Sequence, residues 1–186
     1  QYIHDQLEKK GYKNVYIRNR LELPRTQEES RQTQAINIIN DQGKIIYHQK
    51  AQYNPITFPN YNVFIGKGYY NSNDSLIHAP LDFSVKNKIP LQDLHHILQS
   101  VLFHDQTPIA QRFNLTKEDQ SFLLKWMHTT PPESTYPTYD TAEIWSTYCK
   151  FLLMGSEKKP IPPHIKIFNK VGDAYGFLLD IAYVVD

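Results

Sequence analysis

A lysine followed by two glycines, close to the end of the chain, is the combination of residues best suited to chemistry. Lys170 precedes Gly172 and Gly176, and glycine lets a backbone bend or approach another group closely. An ammonium group held at a rigid corner can bind an anion such as a substrate carboxylate. The alternative is a β-hairpin whose lysine is only solvated, and the pattern alone leaves both open.

Two predicted strands position this lysine. Residues 165–168 contain the β-forming side chains Ile165, Ile167 and Phe168, and residues 177–185 form a nearly continuous apolar run. We therefore predict a strand, a tight corner that carries Lys170, and a second strand over residues 165–186.

The same residues resemble the third motif of the serine β-lactamases and penicillin-binding enzymes. That motif is written Lys-Thr-Gly or Lys-Ser-Gly and precedes an apolar strand. Here it reads Lys170-Val171-Gly172, followed by Gly176 and by Asp-Ile-Ala-Tyr-Val-Val at residues 180–185. The chain is most similar to class A-like serine hydrolases. The resemblance covers most of the sequence, and its specificity lies in residues 165–186.

The resemblance implies acyl transfer, in which a serine attacks a carbonyl group and backbone N–H groups hold the oxyanion. Lys170 would supply positive potential to the substrate carboxylate and to the serine of the second motif, and the backbone N–H of Asp173 would be one oxyanion donor. Val171, Gly172 and Ala174 would line the substrate position, with Gly172 allowing close approach. Val171 cannot donate a hydroxyl hydrogen bond, which points away from efficient β-lactam hydrolysis and towards another amide or ester.

The family also implies an α+β fold. Residues 1–164 would form a mainly helical lobe with a hairpin and loop insertion, and residues 165–186 would be strands of the sheet. We expect a fragment that lacks the Ser-x-x-Lys and Ser-Asp-Asn segments and is inactive alone. Its parent would act on a small-molecule or peptide-like acyl substrate, without a cofactor, in the periplasm or as a secreted protein.

Composition excludes several other functions. The 186 residues suit one domain with a core, and a net charge of +1 gives no field that would attract nucleic acid. One cysteine, Cys149, and eight histidines without ligand spacing argue against a metal site. The sequence shows no membrane-spanning run and no signal peptide. The first residue is not Met and the last apolar strand is unpaired, so we expect a piece of a longer protein of undetermined oligomeric state.

A second functional hypothesis is a non-catalytic module that binds a peptide or a glycan on the same scaffold. Val171 and the tyrosine-rich loop of residues 53–70 favour it. Two other motifs carry less weight. Glu22 resembles the deacylating glutamate of class A enzymes but lacks its companion asparagine, and is interpreted as a surface carboxylate. Ser156 and Lys159 match Ser-x-x-Lys but lie in a charged, proline-flanked loop, so we reject Ser156 as a nucleophile.

The remaining elements follow from periodicity and capping signals. We predict a helix over residues 1–10 that stops at Gly11, a surface loop over 21–34, and a hairpin of residues 36–40 and 44–48. Residues 52–81 would be an ordered loop layer or a small β addition. Amphipathic helices are expected over residues 90–103, after a capping box of Thr116 and Asp119, and from Asp140 to Gly155, with Cys149 on the buried stripe.

Overall fold

The structure is a computed structural model that describes residues 2–20, 25–155 and 157–186. It has an α+β fold in which helices accompany small antiparallel sheets. The chain divides into two compact units, Gln1–Pro90 and Leu91–Asp186. Within the described residues, no helix has the length and apolarity that a membrane span requires.

The first unit consists of two short helices and four small antiparallel strand pairs. Its elements are α1 (Tyr2–Lys9), α2 (Gln27–Ser30), β1 (Gln32–Thr33), β2 (Ile36–Ile39), β3 (Ile45–Gln49), β4 (Gln52–Tyr53), β5 (Phe64–Ile65), β6 (Tyr69–Tyr70), β7 (Leu76–Ile77) and β8 (Leu81–Asp82). The pairs are β1 with β4, β2 with β3, β5 with β8, and β6 with β7. The predicted hairpin is confirmed, and residues 52–81 form the small β addition.

Helix α2 lies where a surface loop was predicted, so that part of the prediction was wrong. Its sequence signal is a capping box: the Glu29 N–H donates to Thr26 Oγ1 over 3.2 Å, and the Thr26 N–H donates to Glu29 Oε2 over 2.8 Å. Helix α1 ends as predicted, because Gly11 adopts a φ of 94°.

The second unit packs three helices with one long hairpin. Its elements are α3 (Leu91–Leu102), α4 (Lys117–His128), α5 (Phe151–Met154), β9 (Lys166–Ala174) and β10 (Phe177–Val185), with short 3₁₀ turns at His104–Gln106, Ile109–Gln111 and Pro131–Glu133. The predictions of α3, and of α4 behind its Thr116–Asp119 capping box, are confirmed. Helix α4 packs against β9, and α3 and α5 pack against β10.

The helix predicted from Asp140 to Gly155 is wrong over most of its length. Turns occupy residues 141–149, and only α5 is helical. One backbone group of the predicted helix has a tertiary partner, because the Asn169 side chain donates to the carbonyl of Cys149 over 2.6 Å. The Thr147 hydroxyl also donates to the carbonyl of Glu157, beyond the predicted helix. Gly155 ends α5, as expected, with a φ of 57°.

The terminal hairpin confirms the predicted strand, turn and strand, but the turn lies further along the chain than predicted. Tyr175 and Gly176 have φ values of 55° and 78°, which a two-residue type I′ turn requires at both positions. Lys170 and Gly172 lie inside β9, paired with Ile181 and Leu179 of β10. The lysine therefore stands on a straight strand rather than at a corner.

Candidate functional site

The outer edge of β9 presents backbone groups that β10 does not use. Ala174 and Phe177 flank the two-residue turn and form a hydrogen-bonded pair, and pairs along an antiparallel ladder alternate between bonded and non-bonded. Asp173, opposite Leu178, is the next pair and is non-bonded. Its N–H therefore points away from β10, and none of the described residues accepts it.

Two lysine contacts agree with this alternation. By the same alternation of bonded and non-bonded pairs, the carbonyls of Ile167 and Val171 also point away from β10. Lys150 Nζ donates to the Ile167 carbonyl over 2.9 Å, and Lys170 Nζ donates to the Val171 carbonyl over 2.5 Å. Among the described residues no further strand pairs with the outer edge of β9, and two of its carbonyls accept from lysine side chains instead.

All five residues expected at the site lie consecutively on β9. Lys170 and Asp173 are exposed, whereas Val171, Gly172 and Ala174 are half-buried. The Lys170 ammonium bonds to the carbonyl of its own neighbour. The structure thus brings a cation and an outward N–H onto one strand, three residues apart, on a surface that solvent reaches.

The packing of the hairpin does not require a glycine at position 172. A Cβ built there would lie 3.8 Å from the Leu179 side chain, which is an ordinary contact, and the residue has no positive φ. A side chain could therefore be accommodated within the fold.

A buried polar network behind β9 was missed by the sequence analysis. The Lys150 side chain is 3% exposed and its Nζ donates to the carbonyls of Met127 and Ile167 and to Asn169 Oδ1, over 2.8, 2.9 and 2.6 Å. Asn169 Nδ2 donates in turn to Asp180 Oδ1 over 2.9 Å. No motif or periodicity in the sequence pointed to this lysine, because its acceptors lie 17 to 23 residues away along the chain.

Burial lowers the pKa of Lys150 below its usual value, and the Asp180 carboxylate opposes that shift. The network joins the last turn of α4, strand β9 and strand β10. It also reaches α5, because the Leu152 N–H donates to Asp180 Oδ2 over 2.9 Å. Its groups are occupied by one another, so the network supports the strand and is not itself open to a ligand.

Two serines and the cysteine of the second unit are poorly placed to act as nucleophiles. The hydroxyls of Ser100 and Ser134 donate to the carbonyls of Ile97 and Pro137, over 3.0 and 2.7 Å. Burial raises the pKa of the Cys149 thiol, which opposes formation of a thiolate. Glu22 and Ser156 lie outside the described residues. Across the described part of the chain, no three His, Cys, Asp or Glu side chains group as a metal would need.

A polar cleft of about 290 Å³ lies within the first unit. Its two cations are Arg18 and Arg31. Five of its lining residues come from the tyrosine-rich loop: Asn54, Ile56, Thr57, Phe58 and Asn60. The cleft is a second concave place where a ligand could bind, and it is separate in sequence from strand β9.

Comparison of the chain with protein-family profiles, with curated proteins and with solved structures finds no match. The geometry of the described residues therefore carries the functional interpretation.

Proposed function

We propose that this chain is part of a serine acyl hydrolase of the β-lactamase-like superfamily, with the nucleophilic serine supplied by residues outside it. The α+β units would belong to the helical lobe and to the sheet of that fold. The observation that supports the proposal best is the outward N–H of Asp173, which is placed on an open strand edge three residues after the exposed Lys170. That arrangement suits one half of an oxyanion hole beside a cation.

In the proposed reaction the serine oxygen attacks the substrate carbonyl carbon while a lysine three residues after that serine takes its proton. The carbonyl oxygen becomes an oxyanion, which accepts hydrogen bonds from the Asp173 N–H and from a second N–H outside this chain. Collapse of the intermediate breaks the amide or ester bond, and the leaving amine or alcohol receives the proton. Water then hydrolyses the acyl-serine.

Lys170 would bind the substrate rather than take part in proton transfer. Its ammonium bonds to the Val171 carbonyl through a flexible stem, so a substrate carboxylate can replace that acceptor without disturbing the ladder. Val171 offers no hydroxyl to the same carboxylate. A single cation without a hydroxyl partner favours an amide or ester substrate other than a penicillin.

The test is labelling of the full-length parent protein with a fluorescent fluorophosphonate, followed by mass spectrometry of the labelled peptide. We expect one labelled serine, in a Ser-x-x-Lys sequence outside these 186 residues, and no label on this chain expressed alone. A folded parent that contains such a sequence and takes up no probe would contradict the proposal.

The second candidate is the non-catalytic module that binds a peptide or a glycan. Val171 favours it, and so does the cleft built partly from the tyrosine-rich loop. A parent without Ser-x-x-Lys that still bound such a ligand would support this candidate over the hydrolase.

A further inference from the structure

The cleft of the first unit combines two guanidinium groups with neutral polar side chains. Arg31 Nη1 donates to the carbonyls of Asn54 and Ile56, over 3.2 and 3.0 Å, and these bonds fix the position of the guanidinium in the wall. Glu28 approaches Arg31 Nε to 3.6 Å, but its side chain is 66% exposed and offsets only part of the charge.

Arg18 is held even more firmly. Its guanidinium lies 5.0 Å from the ring centre of Phe58 and 5.4 Å from that of Tyr61, and it donates to the carbonyls of Ser84 and Pro59. Stacking on aromatic rings and bonding to carbonyls keep the group rigid without neutralising its charge. The wall of the cleft therefore has a positive charge that is ordered before any ligand arrives.

The neutral part of the lining can bind hydroxyl groups. The side chains of Gln27, Thr57 and Asn60 line the cleft, and none of them makes a hydrogen bond within the described part of the chain. Amides and hydroxyls both donate and accept, as sugar hydroxyls do. A volume of about 290 Å³ is at the lower end of ligand pockets, which suits one ring rather than a chain.

We propose that this cleft binds a sugar acid, that is, a monosaccharide-sized ligand with one carboxylate and several hydroxyls. The carboxylate is placed at the Arg18 and Arg31 side, and the hydroxyls face Gln27, Thr57 and Asn60. The site is independent of the proposed hydrolase chemistry on β9, so either proposal can fail while the other stands.

The experiment is isothermal titration of the full 186-residue chain with D-glucuronate, D-glucose and acetate at low salt. We expect D-glucuronate to bind at least about tenfold more tightly than either of the others, because only it has both the charge and the hydroxyls. Equal binding of glucose, equal binding of acetate, or no binding of glucuronate would each overturn the proposal.

Two variants test whether glucuronate binds in this cleft, and neither removes a hydrogen bond found among the described residues of the folded chain. Asn60→Asp and Gln27→Glu each place a negative charge in the cleft, and an acidic residue in the first turn of α2 does not weaken that helix. Each is expected to weaken glucuronate binding about fivefold or more. Asn73→Asp, the same change in a turn outside the cleft lining, should leave binding unchanged. Equal effects of Asn60→Asp and Asn73→Asp would overturn the assignment to this cleft.

Discussion

Two lysines donate to outward-facing carbonyls of the same strand, and their surroundings are opposite. Lys150 is buried, with three oxygen acceptors within 2.9 Å of its Nζ. Lys170 is exposed, and its Nζ donates to the carbonyl of the next residue. The residue type therefore does not decide the role of a lysine: a buried ammonium with all its acceptors in place holds elements together, whereas an exposed one is accessible to a ligand.

Replacing Lys150 should have the largest effect on stability. In Lys150→Met three buried or half-buried acceptors lose their donor, at about 1 kcal/mol each, so we expect a loss of about 3 kcal/mol. Urea unfolding followed by tryptophan fluorescence reports on the right unit, because Trp126 and Trp145 both lie in residues 91–186. The matched control is Lys170→Met, and similar losses in the two variants would show that the contrast is wrong.

Asp180 should have the next largest effect, because it accepts from Asn169 Nδ2 and from the Leu152 N–H. Asp180→Asn keeps the shape of the side chain but removes its charge, so the bond that its remaining oxygen accepts becomes weaker. The new amide nitrogen cannot accept a hydrogen bond, so the other donor loses its acceptor. We expect a loss of about 1–2 kcal/mol in the same urea experiment. Asp173→Asn, at an exposed carboxylate of the same hairpin, is the control and should change stability by less than about 0.5 kcal/mol.

The pH dependence of stability should reveal the burial of Lys150. Its pKa in the folded chain is below the ordinary value of 10.5. As pH rises towards 10.5, the unfolded chain therefore retains a proton that the folded chain releases, and this group makes stability increase with pH. The stability difference between the unmodified chain and Lys150→Met should widen from neutral to alkaline pH. A difference that is constant or narrows over that range would contradict the burial of this ammonium.

Lys170 should have the smallest effect on the fold. Its single bond runs to an exposed strand edge, so Lys170→Met should change the free energy of unfolding by less than about 0.5 kcal/mol. Far-ultraviolet circular dichroism and urea unfolding check this, with Lys166→Met, another exposed lysine of β9, for comparison. A loss above 1 kcal/mol in Lys170→Met alone would give this lysine a structural role.

The sequence predicted the local elements of this hairpin better than their tertiary partners. The apolar runs predict the two strands, and Gly176 permits the positive φ that the turn requires. The predicted corner lay nearer to Gly172 because an anion-binding role was expected for Lys170. The Lys150 network was not predictable in the same way, because its acceptors are carbonyls of Met127 and Ile167 that periodicity does not reveal. A tertiary bond is likewise found where the predicted helix around Cys149 is missing, because the Cys149 carbonyl accepts from Asn169 Nδ2.

The open N–H of Asp173 is the central claim, and one rate constant tests it most directly. The measurement is the second-order rate at which the fluorophosphonate phosphonylates the nucleophilic serine of the full-length parent, with fluoride as the leaving group, compared between Asp173→Pro and Asp173→Ala. Proline has no N–H, and because the N–H of residue 173 points away from β10, its removal costs no hydrogen bond between the two strands. Alanine keeps the N–H. We predict a fall of about 10²–10³-fold for Asp173→Pro and little change for Asp173→Ala. Equal rates in two folded variants would contradict the claim that this N–H stabilises the oxyanion.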